Sequence, residues 1–200
     1  YKKILVNGIV LPEEKYGEKA VSRGDSQTRL ITLRNNSWLP VTRTIKLDEE
    51  IGLGKGSVVE LRQYHPVERV IGRFKRGETV NIEVLPFRSS LLLATTEKEP
   101  GPSIDGCDYE IVRDVTGKPL KISLIAFPGE NRKISFNGSG IKFKQAHIDG
   151  KPVNELLKGK KVEINFPGNI LQEKYHRKLG DMTSVDVPED AESLYEATCF

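Results

Sequence analysis

The chain has 200 residues, enough for one ordinary domain or two small ones with a real buried core. Charge is nearly balanced, 31 Lys+Arg against 28 Asp+Glu, and no block of five or six basic residues offers a phosphate-binding stripe, so nucleic acid is not an expected partner. No stretch approaches the ~18 apolar residues of a membrane span and nothing near Tyr1 has the order of a signal peptide, so no membrane is expected either.

Alanine, the best helix former, occurs only at Ala20, Ala94, Ala126, Ala146, Ala191 and Ala197, beside 18 Gly and 11 Pro. That balance predicts an all-β fold of short strands separated by turns. The first clear strand begins at Arg29. After the turn residues Asn35-Asn36-Ser37, Val41, Arg43, Ile45 and Leu47 alternate with Thr42, Thr44 and Lys46, the period of a half-buried strand. Val58 to Tyr64 and Val70 to Phe74 are the next two runs. Lys75-Arg76-Gly77-Glu78 then reads as a hairpin loop into Thr79 to Val84, where Val80, Ile82 and Val84 form one face. Leu85-Pro86-Phe87-Arg88 breaks the ladder, and Ser90 to Thr96, with three consecutive leucines, reads as a buried return strand.

Glu97 to Gly106 is rich in Pro and Gly, lacks periodicity and reads as a linker. Strand patterning resumes with Tyr109 and Ile111, Leu120 to Ala126, Ile134 and Phe136, Ile141 and Phe143, and finally Val162, Ile164 and Phe166. Asp149-Gly150 is a two-residue hairpin signal. The expected organisation is two antiparallel β-sandwich-like units, 1–97 and 107–168, followed by a tail, 169–200, with short helices near Asn169 to Lys178 and after Pro188. Because the chain begins with Tyr and stops at Cys199-Phe200, it is expected to be a piece of a longer protein.

Motifs of catalysis are sparse. Gly52-Leu53-Gly54-Lys55-Gly56-Ser57 lacks the spacing of a phosphate loop and is expected to be a plain connection. Arg23-Gly24-Asp25 is expected to be a turn, and the sequons at Asn35 and Asn137 are given no role. Asp48, Glu49 and Glu50 are adjacent, so they splay into a solvated turn, while Asp105 and Asp108 beside Cys107 are read as solubilising. His65, His147 and His176 have no companion at metal-ligand spacing, so no metal and no cofactor is expected. Cys107 and Cys199 lie far apart and are read as two unrelated thiols, with a long-range disulfide as the alternative. Sugar binding uses exposed aromatics for stacking and planar polar groups for hydroxyls, and here the candidates are Trp38, Asn36, Tyr64 and His65. The competing reading makes Trp38 a plug that seals the end of a sandwich.

Thr32-Leu33-Arg34-Asn35, the Val58 to Pro66 run VVELRQYHP and the Thr79 to Thr96 stretch TVNIEVLPFRSSLLLATT together resemble the C-terminal β-sandwich that follows the catalytic barrel in bacterial glycoside hydrolases of the α-galactosidase and amylase type. The resemblance covers roughly residues 29 to 97. The second unit, with Ile148 to Val153 and Gly159 to Phe166, looks like part of a further accessory β-domain of jelly-roll type, too short for eight strands unless it leans on the first. The resemblance implies a non-catalytic region outside the cytoplasm, extracellular or periplasmic. Its partner would be an upstream catalytic domain of the same polypeptide, which carries the catalytic carboxylates. A glycan is the alternative partner.

Overall fold

The computed structural model describes residues 7–168, and among them the fold is all-β. The expected helices of the tail, with Cys199 and His176, lie outside the described residues. Eight strands build the first half: β1 (Gly8–Val10), β2 (Val21–Gly24), β3 (Thr28–Arg34), β4 (Val41–Lys46), β5 (Val58–His65), β6 (Arg69–Lys75), β7 (Thr79–Val84) and β8 (Ser89–Thr95). Six of them form one antiparallel sheet in the order β1-β2-β3-β8-β5-β6, and β4 pairs with β7 in a second, smaller sheet.

Burial follows the sequence period. Val80, Ile82 and Val84 are buried while Thr79, Asn81 and Glu83 are exposed, and the core joins these to Ile31, Leu33, Ile45, Leu61, Leu92 and Ala94. The three leucines of β8 belong to a strand with neighbours on both sides, β3 and β5, which explains why its apolar run is nearly continuous. A single helical turn, α1 (Glu13–Tyr16), packs on β4 and buries Tyr16 completely.

The loop between β6 and β7 is tight, as expected, but it does not make a hairpin. β6 stays with β5, whereas β7 pairs with β4 in the opposite sheet. Gly77, at φ 93, lets the chain turn sharply, and its N–H is held by the Leu47 carbonyl at 2.8 Å, so the loop carries the chain across the core instead of back along it.

One other reading also changes. The three adjacent carboxylates are partnered in three directions: Asp48 pairs with Lys46 at 2.7 Å and accepts the Glu50 N–H at 2.9 Å, Glu49 meets Arg76, and Glu50 accepts from Lys15 and from the Tyr16 hydroxyl at 2.7 Å. Burial, followed by the Glu50 carboxylate, pushes the Tyr16 phenol well above its usual pKa. Asp25 caps the β2–β3 turn through the N–H groups of Gln27 and Thr28, which hold its carboxyl below the usual range.

The second half holds β9 (Ser103–Asp105), β10 (Asp108–Arg113), β11 (Lys121–Ile125), β12 (Asn131–Asn137), β13 (His147–Ile148), β14 (Lys151–Pro152) and β15 (Val162–Asn165). β9 lies inside the stretch read as a linker. It is ordered because β12 supplies its ladder, with Phe136 opposite Ile104. β13 and β14 flank the Asp149-Gly150 turn as the sequence anticipates, whereas Ile141 and Phe143 lie in a loop in which Phe143 meets Phe136 edge-on.

A second buried cluster gathers Ile104, Cys107, Tyr109, Ile134 and Leu156, and Val70 of β6 packs against it. The second half therefore does lean on the outer face of β5 and β6. Arg62, 2% exposed, anchors that joint: it donates to Glu60 and to the carbonyls of Gly101 (2.8 Å) and Pro102 (3.2 Å). Arg73 bridges Glu60 and Asp105, and Arg69 pairs with Asp108 at 3.0 Å, so these two aspartates are interface groups and not mere solubilisers. Glu68 joins Tyr109 through an isolated bridge.

Candidate functional site

At one end of the first sheet the C-termini of β3 and β5 and the N-terminus of β8 come together, because Arg34 is opposite Ser89 and His65 is opposite Leu91. That end carries all four sugar-binding candidates. Trp38 and Asn36 lie after β3, and Tyr64 and His65 close β5, two strand spacings away, about 10 Å. Trp38 is 63% exposed and does not seal the sandwich. Its ring meets Phe87 edge-on, with centroids 4.7 Å apart and an interplanar angle of 82°. Asn36 donates to Glu18 at 3.1 Å, His65 is exposed and Tyr64 is half-buried.

Asn35, which the sequence reading treated as a turn residue, organises this end. Its buried side-chain amide donates to the carbonyls of Leu39 (2.8 Å) and Val84 (2.9 Å), its Oδ1 accepts the Ser37 N–H and hydroxyl, and its own N–H reaches the Arg88 carbonyl at 2.9 Å. One residue thus fastens the β3–β4 loop to the β7–β8 loop. The second loop is strained: Phe87, with no glycine's freedom, sits at φ +51. The strain lies in the backbone, and the ring it presents is exposed. The result is a patch of four large apolar side chains, Trp38, Leu39, Leu85 and Phe87, all exposed on pinned loops.

Phe87→Gly separates the strain from the contact. Relief of about 1 kcal/mol of left-handed strain is offset by lost ring contact and by the freer unfolded chain, so stability is expected to change by less than about 1 kcal/mol. Trp38 is the only tryptophan, and its emission is expected to shift red as the Phe87 edge is lost. An unchanged spectrum would show that the two rings do not pair in solution.

Beside the patch a cleft of about 640 Å³ opens between β7 and the inner face of β5, β6 and β8. Ile71, Ile82 and Val84 make its apolar walls, and Gln63, Asn81, Arg88 and Ser90 bring polar groups. Ser90 is 2% exposed, and its hydroxyl has no hydrogen-bond partner among the described residues. A second cavity, about 350 Å³ and mainly apolar, lies in the second half under Ile104, Ile122, Phe136 and His147. Among the described residues no group of three or more His, Cys, Asp or Glu side chains is placed to hold a metal ion, and no helix is long and apolar enough to cross a membrane. No protein-family model matches the chain, and no curated protein matches its sequence.

Proposed function

We propose that this region is a non-catalytic β-sandwich scaffold of a carbohydrate-active enzyme, working outside the cytoplasm, which docks on a catalytic domain of the same polypeptide. The supporting observation is the end patch: Trp38, Leu39, Leu85 and Phe87 gather on two loops that Asn35 fastens together, and Phe87 holds a strained backbone to stand there. Exposed aromatics of this kind act as anchors of protein interfaces, and truncating one typically costs 2 kcal/mol or more of binding, roughly thirtyfold in affinity.

The test uses the full-length polypeptide. Trp38→Ala is expected to lower the melting temperature of the neighbouring domain while leaving the unfolding of these 200 residues alone within about 0.5 kcal/mol, as befits an exposed side chain. An unchanged melting profile of the whole polypeptide, or a full-length protein with no flanking domain, would overturn the reading. A second reading, a glycan-binding module, is favoured by the planar polar groups of Gln63, Asn81 and Arg88 in the cleft next to Trp38. Saturable binding on a glycan array, lost in Trp38→Ala, would select it instead.

A further inference from the structure

Among the described residues the small sheet has two strands. β7 pairs with β4 on one side and with nothing among the described residues on the other. The direction of its backbone groups can be read from the ladder. The Glu78 carbonyl accepts the Leu47 N–H at 2.9 Å, so carbonyls at 78, 80, 82 and 84 point toward β4. The N–H and C=O groups of Thr79, Asn81 and Glu83 therefore point to the open edge. The Asn81 side chain agrees with this phase, because it accepts the Thr44 hydroxyl at 2.8 Å across a pair of the type whose side chains approach most closely.

That edge forms one wall of the 640 Å³ cleft, whose floor is the inner face of the large sheet. The space beside β7 is where a third strand of the small sheet would lie. Three features say what would lie there. Exposed ladder groups call for another backbone. Ile71, Ile82 and Val84 offer seats for alternate apolar side chains, and the Ser90 hydroxyl, buried and unpartnered, offers one further polar contact at the bottom. At the mouth, the Arg88 guanidinium has no carboxylate partner among the described residues.

The geometry points to an extended peptide segment of a docking partner that adds to β7 as a strand, apolar at alternate positions and carrying a carboxylate for Arg88. This rests on the docking reading and names its chemistry: the patch of Trp38 and Phe87 anchors the partner, and the β7 edge takes a strand from it. β7 is six residues long and offers outward ladder groups at three of them, Thr79, Asn81 and Glu83.

The probe is a phage-displayed library of random 12-residue peptides, panned on the whole chain. Expected are enriched sequences with apolar residues at every second position and an Asp or Glu, and their synthetic versions are expected to bind the chain. Asn81→Pro removes an N–H from the open edge while sparing the β4 ladder, and it is expected to weaken binding about tenfold or more; Asn81→Ala, which keeps that N–H, is expected to bind as the parent does. Arg88→Gln is expected to weaken peptides that carry the acidic residue and not those that lack it. Circular dichroism and melting of Asn81→Pro verify that the variant is folded, and Thr79→Pro, at the next outward N–H, is the substitute if it is not.

Absence of any enriched peptide overturns the proposal, as do peptides that bind Asn81→Pro and the parent equally. Oligosaccharide binding that is lost equally in Asn81→Ala and in Asn81→Pro would show that the side chain, not the edge, is read, and would overturn it too. Failure here is distinguishable from failure of the docking reading: full-length stability that responds to Trp38→Ala but not to Asn81→Pro keeps the docking and removes the strand.

Discussion

Arg62→Met is expected to destabilise the chain by about 3–5 kcal/mol, read as a shift of the denaturant midpoint at unchanged slope. Methionine retains most of the apolar stem, so lost packing is not the main term. The loss is electrostatic. Glu60 keeps only the half-exposed Arg73, and the carbonyls of Gly101 and Pro102 lose their donors beneath the second half of the molecule. Each buried acceptor left unmet costs roughly 1–3 kcal/mol, and a buried carboxylate deprived of a partner costs more. The double change Glu60→Gln with Arg62→Met removes the stranded charge, so it is expected to recover part of the loss. A single-variant loss below about 1 kcal/mol would mean that the joint is wet.

Arg29→Met is expected to cost about 3 kcal/mol, for a related reason at the other end of the sheet. Arg29 is buried with no carboxylate in contact, and burial draws its pKa below the ordinary value. Its guanidinium serves as a backbone clamp: it donates to the Ser22 hydroxyl (3.0 Å), the Ser22 carbonyl (2.8 Å) and the Gly24 carbonyl (2.7 Å). Met leaves both carbonyls without those bonds. Arg29→Lys is expected to restore less than half, since an ammonium cannot reach three acceptors with the planar fork of arginine. Gly52 bears on the same clamp, because a Cβ there would come within 2.7 Å of the Arg29 guanidinium carbon. Equal stability of the Met and parent proteins in urea would refute the clamp.

From β3 onward the strands of the first half were legible because burial has a period of two, and Val80, Ile82 and Val84 announce their face without help, whereas the short β1 and β2, before Arg29, carry too few alternating residues to show one. Pairing was not. A four-residue polar loop with a glycine looks the same whether the strands it joins lie side by side or face each other across a core, and Lys75 to Glu78 does the second. Glu60 and Arg62 alternate with Val59 and Leu61, so they share the opposite face of β5. The second half covers that face, and nothing local in the run VVELRQYH signals a cover. Of the site, Trp38 was found through its type. Phe87 was missed because a left-handed phenylalanine after proline has no sequence mark, and Asn35 because one asparagine in a turn does not reveal which second loop it holds. The Asx pattern Asn35-x-Ser37 was the one available signal.

The position of β8 also governs when the fold can form. It is the last strand of the first half to be synthesised, yet it is the strand that joins β3 to β5, with Thr28 opposite Thr95 across 67 residues of chain. Until residue 89 and its successors have left the ribosome, the nascent chain can hold only three separate ribbons, β1-β2-β3, β5-β6 and β4-β7, each with an apolar face and with no strand to join the first two into one sheet. Closing so long a loop late makes assembly slow for a domain of this size, and it places the vulnerable interval for aggregation just before β8 emerges.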